Sequence, residues 1–165
     1  MKAIIIFDTR YGNTEKIAKS IEKGLKESGS ETICINVKDT NVDLLKQYDL
    51  ICVGAPTEWH TLSKPMKEFL NRVHRNELSG KFGFAFDTRL DIRFSGSAAK
   101  LIEKNLKSCG LQIIASLESA IVFRPREGAS NIVLKEGEEA KFEQIGARIG
   151  AALAANIDRS QREKQ

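Results

Sequence analysis

"IIIFDTRYGNTEKIAKSI", residues 4–21, changes character twice within one short stretch. The apolar run Ile4–Phe7 stops at Asp8, a polar turn follows, and then Ile17, Ala18, Ile21 and Leu25 recur at helical spacing. An unbroken apolar run is the pattern of a strand covered on both faces, as in a parallel sheet. A helix that starts directly after such a strand leaves backbone N–H groups without partners at its positive end, which is a natural anion site. The residues of the turn suit that use. Gly12 lets the backbone approach closely, the hydroxyls of Thr9 and Thr14 and the Asn13 amide add donors, and the bulky Arg10 and Tyr11 can point outward. The plainer alternative is that Thr14 or Asn13 simply caps the helix.

Outward from this turn, strand and helix patterns alternate to the end of the chain. After the helix, which "SGS" (28–30) ends, "ETICINV" (31–37) alternates with Ile33, Ile35 and Val37 on one side, as suits a strand nearer the sheet edge. A short helical stretch is expected near 42–47, and "DLICVGA" (49–55) reads as a second fully buried strand. Ser63 is placed to cap the next helix, Pro65 fits its first turn, and Met66, Phe69, Leu70 and Val73 form its core stripe. "KFGFAFD" (81–87) is the fourth strand, followed by a helix over about 96–108 with Ala98, Leu101, Ile102 and Leu106 inward. The fifth strand lies within 111–123, towards its end, and the last helix uses Phe142, Ile145, Ile149 and Leu153. Its acidic first turn, with Glu136, Glu138 and Glu139, matches the positive end of the helix dipole.

Five strands and five helices in alternation predict an α/β fold: a doubly wound, five-stranded parallel sheet of order 2-1-3-4-5 with helices on both faces. One domain is expected over 1–157, with a polar tail at 158–165. In such a sheet ligands bind past the carboxyl ends of the strands where the winding reverses, so function is expected in 8–14, 56–62 and 87–95.

Composition narrows the classes. With 165 residues, 41% hydrophobic and 29% charged, the chain is long and apolar enough to bury a core and is not of the disordered type. No apolar run approaches the roughly 18 residues needed to span a bilayer, and "MKAIIIFD" is too short for a secretory signal, so no membrane partner and a cytoplasmic location are expected. The net charge of +4 hints at anionic partners, but no dense basic run interleaved with aromatics points to nucleic acid. Cys34, Cys52 and Cys109 are widely spaced, and the first two fall in apolar runs, so buried free thiols and no metal site are expected.

Rival motifs can be tested against the letters. A nucleotide P-loop needs a Lys after its second Gly, a dinucleotide fingerprint needs three glycines, and both are missing from 8–14. A receiver domain needs an Asp at the end of strand three, where Gly54 and Ala55 stand; a cysteine phosphatase needs CxxxxxR, which none of the three cysteines begins. In "PTEWH" (56–60), Trp59 follows a buried strand, and a planar aromatic ligand stacked on it is one answer; packing of the indole against the rim is the other. A phosphate at the first loop and a flat ring at the second describe a mononucleotide with a large heterocycle.

"TRYGNTEKIA" (9–18) resembles the phosphate-binding loop of the flavodoxin family, and "YGNTE" is close to the form found in flavodiiron-type domains. "APT" after strand three and "SGSAAKLIEKNLKSCG" after strand four extend the likeness over essentially the whole chain. The resemblance implies an FMN cofactor and redox partner proteins. Carried over by position, Thr9, Arg10, Tyr11, Gly12, Asn13 and Thr14 would wrap the FMN phosphate. Pro56, Thr57, Glu58, Trp59 and His60 would line the dimethylbenzene side and one ring face. Asp87, Thr88, Arg89 and Leu90 would hold the pyrimidine edge.

Three departures from the family pattern bear on function. The third loop brings no Tyr or Trp, only Leu90, Ile92 or Phe94, so one flavin face is expected open or covered by an aliphatic group. Arg89 and Arg93 would set positive charge near the flavin, or stand as solvated surface charges. No Gly lies between 56 and 62, so the peptide flip that supports a half-reduced flavin in many flavodoxins would cost on the order of 1 kcal/mol more. The chain is also basic where the usual flavodoxin is acidic. The expected function is an FMN-binding electron-transfer protein. The alternatives are an NAD(P)H-dependent FMN or quinone reductase on the same fold, and a non-redox interaction module with weak flavin binding.

Overall fold

The uninterrupted apolar run near the N-terminus becomes β1 (Lys2–Phe7), the inner strand from which the sheet grows in both directions. The computed structural model describes residues 1–58, 61–75, 77–92, 96–126 and 130–162. β1 pairs in parallel with β2 (Glu31–Asn36) on one side and β3 (Leu50–Pro56) on the other, and β3 pairs in parallel with β4 (Phe82–Leu90). The winding therefore reverses between β1 and β3, as the alternation predicts.

Beyond β4 the sheet departs from a single fifth strand. β5 (Gln112–Ile113) and β6 (Glu118–Phe123) both run parallel to β4, at its start and its end. Five steps from Ile113 to Glu118 face three from Gly83 to Phe86, so two extra residues leave the ladder and split the strand. A further strand, β7 (Val133–Leu134), folds back antiparallel on β6 and closes the edge. The long connection after residue 123 is thus partly hairpin.

The helices are α1 (Asn13–Glu27), α2 (Lys64–Arg72), α3 (Ala98–Ser108) and α4 (Glu138–Arg162). The helical stretch expected near 42–47 is instead a 3-10 segment, Val42–Gln47, preceded by another at Val37–Asp39. The reason is local: Asn36 and Asn41 accept from the amides two residues on, and Val42, Leu45 and Tyr48 face the core at a spacing of three. Ser63 stands at the start of α2 but makes no capping bond, and its hydroxyl is buried without a partner among the described residues. α4 runs through residues 158–162.

Two apolar layers cover the sheet. One joins Ile4, Ile6, Ile51 and Val53 to Met66 and Phe69 of α2 and Ile102 and Leu106 of α3. The other joins Ile5, Cys52, Phe84 and Phe86 to Ile17 and Ile21 of α1 and Phe142 and Ile149 of α4. Most stripe positions read from the sequence are buried; Ile35 and Val73 are half-buried, and Leu101 of α3 and Ile33 on the edge strand β2 stand 40% exposed. α1 and α4 approach so closely that a Cβ on Gly24 would collide with the carbonyl of Glu143, and one on Gly146 with the carbonyl of Ile21. Among the described residues no helix is long and apolar enough to cross a membrane.

Candidate functional site

The carboxyl ends of β1, β3, β4 and β6 open on one cavity of about 500 Å3. From β1 the chain leaves through Asp8, whose amide donates to Gly54 O at 3.0 Å and whose carboxylate accepts from the Thr9 amide at 2.9 Å. Gly12 then takes φ +81°, a left-handed conformation that glycine adopts without strain, and begins α1 with no side chain capping it. The two residues offered as plain caps have other partners. Thr14 Oγ1 shares a hydrogen bond with Thr88 Oγ1 at 2.9 Å, and Asn13 Nδ2 donates to Ile132 O at 2.8 Å. The first-turn N–H groups of α1 therefore face the cavity's end without a side-chain acceptor. Thr9 Oγ1 beside them is buried with no partner among the described residues. A buried hydroxyl left in this way calls for a ligand that completes it.

The second loop is tied down behind the cavity. Thr57 N donates to Thr88 O at 2.9 Å, Thr57 Oγ1 donates to Asp87 Oδ2 at 3.1 Å, and the Ala98 amide donates to Thr57 Oγ1 at 2.9 Å. Glu58 and Thr61 exchange backbone hydrogen bonds at 3.1 and 2.8 Å. Trp59 and His60, between them, lie outside the described residues, as do Arg93 and Phe94 of the third loop. Arg10 reaches across toward Glu58 at 3.9 Å, a loose and largely exposed pair, and its guanidinium sits 5.5 Å from the centre of the Tyr11 ring.

The four residues expected to hold a ligand edge in the third loop belong to the end of β4. Thr88, Arg89 and Leu90 line the cavity. Asp87 does not: it is completely buried, and its Oδ2 accepts from Thr57 Oγ1, from Ser97 Oγ at 2.8 Å and from the Ala99 amide at 3.0 Å. Strand alternation turns it to the opposite face from the adjacent lining residue Thr88, on the side where Ser97 and Ala99 stand. Asp87 therefore fastens the second loop and the start of α3 to β4. Arg89 donates from Nη1 to Gly96 O at 3.1 Å, and its Nε is buried without a partner among the described residues.

Three lining residues lie outside the loops assigned to the cofactor, Val122, Arg124 and Ile132, and Ile92 of the third loop joins them. Ile92 is, with Leu90, one of the two aliphatic candidates for the flavin face and is 61% exposed. The other three come from the end of β6 and the approach to β7. The same carboxyl-end rule applied to the strand after β4 would have found Val122; the hairpin that brings in Ile132 has no comparable mark. Among the described residues no His, Cys, Asp and Glu side chains cluster as metal ligands. The thiols are free and away from the cavity; burial pushes Cys34 up to about 12 and raises Cys52 and Cys109 as well.

Comparison with known proteins agrees with this fold. A family model described as Flavodoxin domain matches residues 4–116. Over 106 residues the chain is 35% identical to a flavodoxin from Clostridium saccharobutylicum, which covers 61% of this chain and 64% of that protein; the match thus spans a little less than two thirds of the relative. It is 25% identical over 182 aligned positions to an NAD(P)H dehydrogenase (quinone) from Archaeoglobus fulgidus, covering 90% of this chain and 95% of the relative. A solved flavodoxin from the domain Archaea superposes with a TM-score of 0.76 at 25% identity, over 93% of this chain and 99% of that one. With the matched region running from β1 to the step before β6, well over half of its length, the chain belongs to the flavodoxin family.

Proposed function

We propose that this cavity binds FMN and that the chain carries electrons between redox partner proteins in the cytoplasm. The observation that carries the reading is the pairing of unlike ends in one cavity. At one end stand the uncapped start of α1 and the partnerless Thr9 hydroxyl; the walls beyond are Pro56, Leu90, Ile92, Val122 and Ile132. That is the donor set for a phosphate dianion beside the apolar surface a fused ring system needs. Thr9, Arg10, Tyr11, Gly12, Asn13 and Thr14 would surround the phosphate. Pro56, Thr57 and Glu58, with Trp59 and His60, would border one side of the rings, and Thr88, Arg89 and Leu90 the pyrimidine edge. Asp87 would act through Thr57 and the start of α3. When bound, FMN supplies one- and two-electron redox chemistry, while the protein supplies binding, orientation and the electrostatic setting.

The test is calorimetric titration of folded, phosphate-free protein with FMN and with riboflavin. Saturable binding of one FMN, with riboflavin weaker, is expected; no heat with FMN would end the proposal. A second reading, an NAD(P)H-dependent quinone reductase, is supported by the near full-length match to the Archaeoglobus relative and by the exposed Ile92 in place of an aromatic cover. Steady-state oxidation of NADH or NADPH with a quinone acceptor separates the two. A non-redox module would remain colourless with excess FMN.

A further inference from the structure

Guanidinium groups outnumber carboxylates around the mouth of this cavity. Arg10 follows β1, Arg89 is near the end of β4 and Arg124 follows β6, so the three are spread across the carboxyl end of the sheet. Arg10 and Arg124 are exposed, Arg89 half-buried. Among the described lining residues Glu58 is the only carboxylate, and Arg10 approaches it loosely. Asp91 beside Ile92 is exposed, Glu15 in the first turn of α1 is paired with Lys19, and Asp8 and Asp87 are buried. Between the arginines stand two of the six large apolar side chains exposed among the described residues, Tyr11 at 46% and Ile92 at 61%. Arg and Tyr are the residue types that anchor protein interfaces, and a charged rim steers the partner of opposite sign.

Building on the FMN reading above, we infer that this rim is the docking surface for an acidic redox protein, seated over the cavity with its carboxylates against Arg10 and Arg124 and its apolar contact on Tyr11 and Ile92. An acidic rim would favour basic partners; this chain, at +4 overall, has the inverse arrangement. The pair formed by Arg10 with Tyr11 is suited to the role. The guanidinium is held over the ring and meets Glu58 only loosely, so beside a bound phosphate its fork of N–H donors still has capacity for a partner carboxylate.

The test uses the FMN-loaded protein and two probes: a plant-type ferredoxin of acidic net charge, and cytochrome c as the basic one. Binding is followed by calorimetry at about 0.01 M and about 0.15 M ionic strength, between which the screening length falls from about 30 to about 8 Å. Ferredoxin is expected to bind at the lower salt and to weaken about tenfold at the higher, with no binding of cytochrome c. Arg10→Glu and Arg124→Glu should each weaken ferredoxin about fivefold or more at low salt, whereas Lys104→Glu, on the exposed side of α3, should change it less than about twofold. The FMN affinity of each variant is measured first, by quenching of flavin fluorescence. Failure of the unaltered chain to bind FMN would overturn the flavodoxin reading itself. FMN binding without ferredoxin binding, tighter binding of cytochrome c, or an equal effect of Lys104→Glu would overturn the docking surface alone. Should Arg10→Glu lose FMN, Arg124→Glu and the salt series decide the matter.

Discussion

Thr9 is the residue on which the proposed chemistry turns most directly. A buried hydroxyl without a partner costs free energy unless something completes it, and a phosphate oxygen at the start of α1 would. Replacing Thr9 by Val keeps the shape and removes the donor. FMN affinity should then fall by about tenfold or more, since a hydrogen bond to a charged group contributes about 1.5–3 kcal/mol, while riboflavin affinity should be unchanged. Equal losses for both ligands in paired titrations would remove Thr9 from the phosphate site. Cys34 makes the opposite case, a reactive group held inert. Burial raises its pKa to about 12, so the thiolate is scarce at pH 8 and alkylation of the native protein should be far slower than of the unfolded chain. The sign for stability follows. Below about pH 8.5, the ordinary thiol value, the group is neutral folded and unfolded and its full contribution is present. Above that the unfolded chain ionises first, and the contribution is lost as pH climbs toward 12. Denaturation midpoints of the native chain and Cys34→Ser, compared at rising pH, should converge. Among individual residues, loop one was legible because hydroxyls, amide and glycine at a strand–helix junction admit few other uses. Asp87 was not, because a carboxylate at a strand end looks the same from sequence whether it faces a ligand or fastens a neighbouring loop.

Packing between elements depends on features that periodicity does not carry. The stripe of α1 predicted burial of Ile17, Ala18, Ile21 and Leu25, and all four are buried. It did not predict how closely α4 would come. That distance is set by Gly24 and Gly146, each pressed against the other helix's backbone carbonyl. Gly146→Ala should therefore destabilise the fold despite alanine's better helix propensity, because backbone cannot move aside as a flexible side chain does. A loss of at least about 1–3 kcal/mol in chemical denaturation is expected, the range for overpacked interiors. A gain, of the sort propensity alone predicts, would show that the two helices separate freely. The split of the fifth strand has a similar origin. Its two halves are each apolar enough to read as strand, but only the register against β4 reveals two extra residues between them. The sequence at Val42–Gln47 reads equally as α-helix or 3-10 because a spacing of three over so short a stretch satisfies both patterns.

At the scale of the whole molecule, alternation of apolar strand and amphipathic helix was enough to place the reversal of winding between β1 and β3, and with it the crevice. What it could not supply is the far wall, since β6 and the hairpin to β7 depend on long-range pairing. That wall gives the cavity an energetic role in the fold. Its lining comes from the ends of β1, β3, β4 and β6 and from the chain entering β7, and Asn13 already links the start of α1 to Ile132 across 119 positions. A ligand filling the cavity adds contacts to all of these ends at once and has no comparable site in the unfolded chain. Binding should then raise global stability by mass action, about 2.7 kcal/mol at a hundredfold excess over Kd. For a domain of this size that is a rise in Tm of about 5–10 °C, growing with the logarithm of FMN concentration. Riboflavin, without the phosphate that engages α1, should give a smaller rise at equal concentration. If FMN and riboflavin raise Tm equally, the aromatic system alone is being held, and the start of α1 contributes nothing to binding. A Tm that ignores both would mean that the carboxyl ends of the sheet do not close around a flavin at all.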